Sequence, residues 1–334
     1  MSAALLVRLR PAGPWRIGPA SGARNRADAV YHSDTLYSAV TWAMRDLGML
    51  DDWLQATAEA PAPAVRFSSC FPFQRRTLFV VPPKSVWPPP PSTRLRYRGA
   101  KFVAMPFVES LLRDEPIDEN RWLIDGASEC LMPSDRNEGP FRTTIRSFVA
   151  VDRLDPAATS PHSAACIEFA PGCGLWFLTM FSDDAARARW SDPVRGALKL
   201  LADSGFGGKR SSGWGACDGV EFYGGDAAPV LAPAPEEGAE TGWWLLSLFT
   251  PAENDRIDWK RGHYGTVTRQ GRVESARHPR ELKKPGLMVE EGSVLAAPAE
   301  PLGSAQNVAP EGAPHPVYRA GFAVSIPVRL RAAS

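Results

Sequence analysis

The sequence predicts a loop-rich α+β protein, and three observations carry that expectation. Glycine and proline number 28 and 32 among 334 residues, and proline is excluded from helix interiors and central strands, so regular structure must be interrupted often. The apolar fraction is nonetheless 44%, close to the ordinary soluble level of about 45–50%, which leaves material for a sizeable core. Apolar residues also recur with both the strand period of two and the helical period of three to four.

Taken in order, Leu5, Val7 and Leu9 alternate with Arg8 and Arg10, a strand broken by Pro11, Gly13 and Pro14. After Ser33-Asp34-Thr35, Leu36, Val40, Ala43 and Leu47 form one helical face, with Ser33 or Asp34 as the N-cap and Gly48 as the stop. Residues 61–91, with four prolines from Pro88 to Pro91, must be extended or irregular. Ile167–Phe169 and Leu175–Phe181 read as a hairpin turned at Pro171-Gly172-Cys173-Gly174. Asp192-Pro193 reads as the opening of a second helix with Val194, Leu198 and Leu201 buried and Gly205 at its end. A strand to Tyr223 follows. The Pro/Ala/Glu run Asp226–Glu240 is the expected linker, dividing the chain into 1–225 and 241–334. Beyond it, Leu245–Ala252 echoes Leu5–Ala12, which hints at a duplicated unit. Tyr318, Ala320, Phe322, Val324, Ile326 and Val328 alternate as a closing, half-buried strand.

Lys and Arg total 38 against 37 Asp and Glu, so a uniformly basic nucleic-acid protein is excluded and any such binding needs a local patch. Patches exist: Arg94, Arg96, Arg98 and Lys101 precede an acidic stretch from Glu109 to Glu138, after which Arg142, Arg146 and Arg153 restore positive charge. The five cysteines are odd in number and none has CxxC spacing, and His32, His162, His263, His278 and His315 lie far apart. Reduced thiols, no metal and no cofactor are therefore expected. The first ten residues lack the apolar run of a signal peptide, and the longest apolar stretches are far short of the ~20 residues of a membrane span. A cytoplasmic protein with no membrane partner is expected.

The densest local signal is Gly205-Phe206-Gly207-Gly208-Lys209-Arg210-Ser211-Ser212-Gly213-Trp214-Gly215. Glycines let backbone N–H groups converge on an anion, while Lys209 and Arg210 add charge and Ser211 and Ser212 add donors. The segment runs from helix to strand, the reverse of a P-loop or a dinucleotide-binding turn, and lacks the GxxxxGK[ST] spacing. A bound nucleoside triphosphate is therefore not expected.

Leu201–Gly215 resembles the glycine-rich loop of the RAMP proteins, the RNA-binding subunits of CRISPR effector complexes. His32-Ser33-Asp34-Thr35-Leu36-Tyr37-Ser38-Ala39 resembles the SDTLFSAL helix start of that superfamily. Together, in this order and separation, they are most similar to the fourth subunit of the type III-A Csm complex. Val151-Asp152-Arg153, Glu291-Gly292-Ser293 and His315–Phe322 fit the same pattern, so the resemblance spans nearly the whole chain. Residues 61–91 and the acidic run to Glu138 depart from the shorter family pattern.

The resemblance implies two ferredoxin-like (RRM-like) domains with inserted irregular segments. It implies a non-catalytic subunit in antiviral defence that seats the 5′ handle of the CRISPR RNA, contacts the large signalling subunit and the backbone RAMP subunits, and meets target RNA only indirectly. Gly207, Gly208, Lys209, Arg210, Ser211 and Ser212 would hold phosphates, with His32 and Ser33 beside them. Arg142-Thr143-Thr144-Ile145-Arg146 would form a β-hairpin thumb between nucleotides, with Arg153 a further RNA contact. Arg98 and Lys101 would meet phosphates while Tyr97, Phe102 or Trp214 stacks on bases. Two other functions use the same residues. A metal-independent endoribonuclease processing precursor RNA would use His32 as acid or base; a scaffold would turn its basic patches to acidic subunits. Asp34 and Asp203 read as helix-terminal acids rather than nuclease groups.

Overall fold

The computed structural model describes residues 4–19, 22–151, 159–224, 238–273 and 281–331. Arg153, His278 and most of the expected linker lie outside them. Up to residue 224 the elements are β1 (Ala4–Pro11), α1 (Ser33–Asp46), α2 (Leu50–Ala56), β2 (Val65–Phe67), β3 (Phe71–Gln74), β4 (Thr77–Val80), β5 (Phe102–Ala104), α3 (Met105–Leu112), β6 (Trp122–Asp125), β7 (Cys130–Pro133), β8 (Phe141–Val151), β9 (Thr159–Phe169), β10 (Cys173–Phe181), α4 (Asp184–Ser204) and β11 (Cys217–Gly224). Beyond 238 the described elements are strands: β12 (Thr241–Leu245), β13 (Asp258–His263), β14 (Thr266–Arg269), β15 (Gly286–Val289), β16 (Val294–Ala296), β17 (Gly303–Asn307), β18 (Tyr318–Phe322) and β19 (Ser325–Arg329).

The first sheet runs β11-β1-β10-β3-β4-β5-β7-β6, with β2 also on β10. β1 is central, antiparallel to both β10 and β11, with Val7 opposite Phe177 and Phe222. Its core is therefore β1-α1-β2 followed by β10-α4-β11, in the spatial order 11-1-10-2. The second sheet runs β13-β16-β12-β19, which is the same order, fourth-first-third-second, written in reverse. β12, which follows the linker as β1 opens the chain, is again central. No helix stands between its strands among the described residues; the ribbon β17–β18 falls between the third and fourth strands, where the first sheet has α4, and the ribbon β14–β15 falls between the second and third.

Helix α1 packs on α4 and also on β18, so its apolar face serves both parts of the chain. Leu36, Tyr37, Val40, Ala43 and Met44 are buried on it, and the Tyr37 ring meets Trp53 and Phe322 at 5.7 and 5.6 Å. Trp244, Leu246, Val324 and Ile326 belong to the same apolar core as Leu5, Trp176 and Trp190. The cysteines carry free thiols, Cys70, Cys130, Cys166 and Cys173 buried and Cys217 half-buried.

Three local expectations change. The helix read from Asp192 begins at Asp184, capped by the Asp183 carboxylate, which accepts from the Ala186 amide, and Pro193 lies inside it. Trp190 and Val194 on its buried face outweigh the local preference for a helix start at proline. Residues 167–169 and 175–181 do flank a turn, with the Cys173 amide on the Ala170 carbonyl, but they do not pair with each other. β9 pairs β8 along eleven register positions, while β10 pairs β1, β2 and β3. Residues 94–102 pass through a turn at Tyr97–Gly99 into β5, and Tyr97 and Phe102, expected to stack on bases, are buried.

Candidate nucleic-acid interface

The glycine-rich loop is built by its contacts with the chain just after β1. Gly205 ends α4 with φ 90°. Phe206 turns inward and stacks on Trp15 at 5.2 Å. The Gly208 amide then donates to the Arg16 carbonyl and the Gly215 amide to the Pro14 carbonyl, both at 2.9 Å. Gly207, at φ 72°, lies against the Arg16 carbonyl so closely that a Cβ would collide with it. Glycine is required there by both conformation and space.

These contacts occupy most of the loop's amides within the protein. The amides of Gly205, Phe206, Gly208, Ser212, Gly213, Trp214 and Gly215 all donate to carbonyls of the chain itself. Gly208 is also not at positive φ. What the loop presents outward is its tip: Arg210, Ser211 and Ser212 form an exposed turn between two left-handed residues, Lys209 at φ 62° and Gly213 at φ 76°. A lysine in that region is uncommon.

Lys209 reaches across to the β8–β9 hairpin. Its Nζ lies 3.6 Å from the Phe148 ring centroid and 3.2 Å from His162 Nε2. His162 stacks on Phe148 at 5.3 Å, and Trp214 packs on it at 5.5 Å. Trp214 is therefore buried in the seam between loop and hairpin rather than open to a base. The hairpin expected as a thumb exists and carries Arg142 and Arg146, exposed, both bonded to Glu168 at 3.2 and 2.6 Å. Those hydrogen bonds hold the Glu168 carboxyl below its ordinary range. At the hairpin root a cleft of about 280 Å³ is lined by Asp125, Glu138 and Glu168 against Arg142, a charge balance unsuited to phosphate. Arg98 is exposed on the 97–99 turn, and no contact among the described residues joins it to the loop. Lys101 Nζ lies 3.4 Å from Asp28.

The other motif, 31–35, is interior. His32 Nδ1 lies 2.7 Å from Glu291 Oε1 and Nε2 3.1 Å from Asp28 Oδ2. Burial disfavours the imidazolium, but the two carboxylates outweigh it and raise the His32 pKa to about 9. Ser33 is buried, its amide donating to Ser69 Oγ and its Oγ accepting from the Leu248 amide. Asp34 is not a side-chain cap. The His32 carbonyl receives the Thr35 and Leu36 amides, and the Asp34 carboxylate takes Arg269 through Nε and Nη2 at 3.1 and 3.0 Å. Arg319 Nε is 3.9 Å away. Burial would raise the Asp34 pKa; Arg269 brings it below the carboxylate range. His32 and Ser33 thus join the two parts of the chain instead of lining a surface. The partners Glu291, Arg269 and Arg319 were not among the candidates, since only folding brings residues 235 or more positions away to this turn.

The family model of the CRISPR Csm4 C-terminal domain matches residues 239–328. A crystal structure of a Csm3–Csm4 subcomplex of the type III-A CRISPR-Cas interference complex contains a chain similar over 98% of this chain and 100% of its own length, with TM-score 0.65 and 15% identity. A chain in a crystal structure of a Csm1–Csm4 cassette with cA4 is similar over 99% and 100%, with TM-score 0.60 and 20% identity. No curated protein sequence matches. The fold is similar from end to end to that of the chains in these two Csm structures. In sequence, the likeness to Csm4 is carried by residues 239–328.

Proposed function

We propose that this chain is the non-catalytic subunit that seats the 5′ handle of the CRISPR RNA in a type III-A Csm effector complex in the cytoplasm, bound to the large signalling subunit and the backbone RAMP subunits. The observation that carries this is the end-to-end likeness in fold to chains of the Csm1–Csm4 and Csm3–Csm4 structures. It is joined by the seam in which the candidate groups Lys209 and Trp214 meet Phe148 and His162 of the β8–β9 hairpin, beneath the exposed tip 210–212. There phosphates are met by side chains of Lys209, Arg210, Ser211 and Ser212, with Arg142 and Arg146 alongside, rather than by a cradle of amides. Single-stranded RNA gains its specificity from bases splayed between such elements.

The two sheets are, in this reading, a duplicated ferredoxin-like unit with boundaries at 1–225 and 241–334. Their shared strand order supports it, the second copy having the β17–β18 ribbon where the first has α4. The ribonuclease alternative is disfavoured because both His32 nitrogens are occupied by carboxylates inside the protein, which leaves no atom to exchange a proton with RNA. The purified protein should bring down small RNA whose sequenced 5′ ends share one handle. It should bind synthetic handle RNA with a salt slope, and should leave precursor RNA uncut in EDTA. Absence of a common 5′ end, or a salt-independent affinity, would remove the handle reading.

A further inference from the structure

Strand β9 pairs β8 along one edge. Its other edge is met by two separate pieces of the chain that follows β1. Trp15 exchanges both backbone bonds with Ile167, and the Arg24 carbonyl accepts from the Ala165 amide. The Arg16 guanidinium closes the junction between them. Nη1 donates to the carbonyls of Arg24 and Ala165 at 3.0 and 2.8 Å, and Nη2 donates to the Ala23 carbonyl at 3.2 Å. A guanidinium carries five N–H donors. The Nε–H and the second Nη2–H of Arg16 have no partner among the described residues, and Nε reaches solvent. Nε and Nη2 share the edge on which a guanidinium takes a phosphate through two parallel bonds.

The charge of this fork is unanswered as well. Its three acceptors are neutral carbonyls, and no carboxylate pairs with Arg16 or with the exposed Arg24 among the described residues. Burial and the neighbouring Arg24 charge pull the Arg16 pKa below its ordinary value. The acids of the same segments are engaged elsewhere, Asp28 with His32 and Lys101, Glu168 with Arg142 and Arg146. Two like charges held together in a partly desolvated site are costly until an anion neutralises them. The fork also flanks the glycine-rich loop. The Gly208 amide donates to the Arg16 carbonyl, and the Arg16 stem runs past Gly208 so closely that a Cβ there would lie 3.4 and 3.5 Å from its carbons. Lys209 is the next residue in the loop.

We infer that Arg16 and Arg24 seat one backbone phosphate of single-stranded RNA on the flank of the glycine-rich loop. The inference rests on the reading of the chain as a handle-binding subunit and adds two residues that neither the loop nor the hairpin motif contains. The test titrates the full chain with synthetic handle RNA carrying a single uncharged methylphosphonate linkage, moved along the handle one position at a time. Arg24→Gln removes an exposed side chain that bonds to nothing in the protein, so it should melt like the parent. It should bind unmodified handle RNA about threefold to tenfold more weakly and lower the slope of log K against log salt by about 0.7. One neutral linkage should weaken the parent to a similar degree and leave Arg24→Gln unaffected, the signature of a shared contact. Arg16→Lys keeps the charge without the fork and should lose sensitivity to that same linkage. The site would be overturned if every neutral linkage that weakens the parent weakened Arg24→Gln equally. It would also be overturned if Arg16→Lys melted lower but kept the parent's RNA slope, since Arg16 would then be a brace alone. Loss of affinity for a partner subunit in Arg24→Gln, with RNA binding unchanged, would reassign the pair to an acidic protein surface. A parent chain that bound no handle RNA would bring down the handle reading itself, and this site with it.

Discussion

The turn at 31–35 and the loop at 205–215 were both expected at the RNA, and they end in opposite surroundings. The loop keeps Arg210 to Ser212 in solvent. The turn places His32, Ser33 and Asp34 in the interior, among Asp28, Ser69, Arg269 and Glu291. A charge on the loop stays hydrated and costs little to hold. A charge on the turn is desolvated and must be paired, so it works for the fold. The difference teaches that a polar motif next to a helix start is ambiguous until it is known what covers it.

The largest effect should come from breaking the buried pair. Asp34→Ala should destabilise by about 3–5 kcal/mol, because Arg269 is left buried without its carboxylate. A melting shift of less than a few degrees would mean that water replaces the carboxylate. Any folded fraction should keep its RNA salt slope.

His32 makes the same region sensitive to alkali. Its pKa rises from the ordinary 6.5 to about 9 on folding, so its contribution is fully present below pH 6.5 and is lost as pH rises through 9. Stability should fall across that window by an amount on the order of 3 kcal/mol. His32→Gln should flatten the curve there. Asp28, Asp34 and Glu291, all held below their ordinary values, act oppositely, stabilising above the carboxylate range and failing in acid. A stability profile flat from pH 6.5 to 9 in the parent protein would exclude the charged clamp.

Two neighbouring glycines sharpen the contrast within the loop. Gly207→Ala meets both a positive φ and the Arg16 carbonyl, and should cost about 1–3 kcal/mol. Gly208→Ala meets Arg16 at ordinary contact distances, its side-chain carbons at 3.4 and 3.5 Å and its carbonyl at 3.7 Å, and should cost less than about 1 kcal/mol. Equal melting temperatures for the two would contradict the loop geometry.

The smallest effect on stability belongs to the tip. Lys209→Ala with Arg210→Ala should leave melting nearly unchanged while lowering the slope of log K against log salt by about 0.7 for each phosphate that is no longer neutralised. An unaltered slope would take the loop off the RNA.

Local chemistry decided a good deal by itself. Alternation of Leu5, Val7 and Leu9 makes β1 whatever surrounds it, Gly48 and Gly205 stop their helices at positive φ, and the glycine spacing bends the loop. The resemblance to the RAMP proteins was legible because those residues are close together in the chain. Proximity could not tell which strand β9 would take, since its partner β8 competes with β10 on hydrogen bonding and burial that only the sheets reveal. Nor could it assign His32 to Glu291, Asp34 to Arg269, or Lys209 to Phe148, pairs separated by 259, 235 and 61 positions. Whether a charged side chain binds a ligand or holds a fold depends on its desolvation and on the partner delivered to it, and both are properties of the packed structure rather than of the chain.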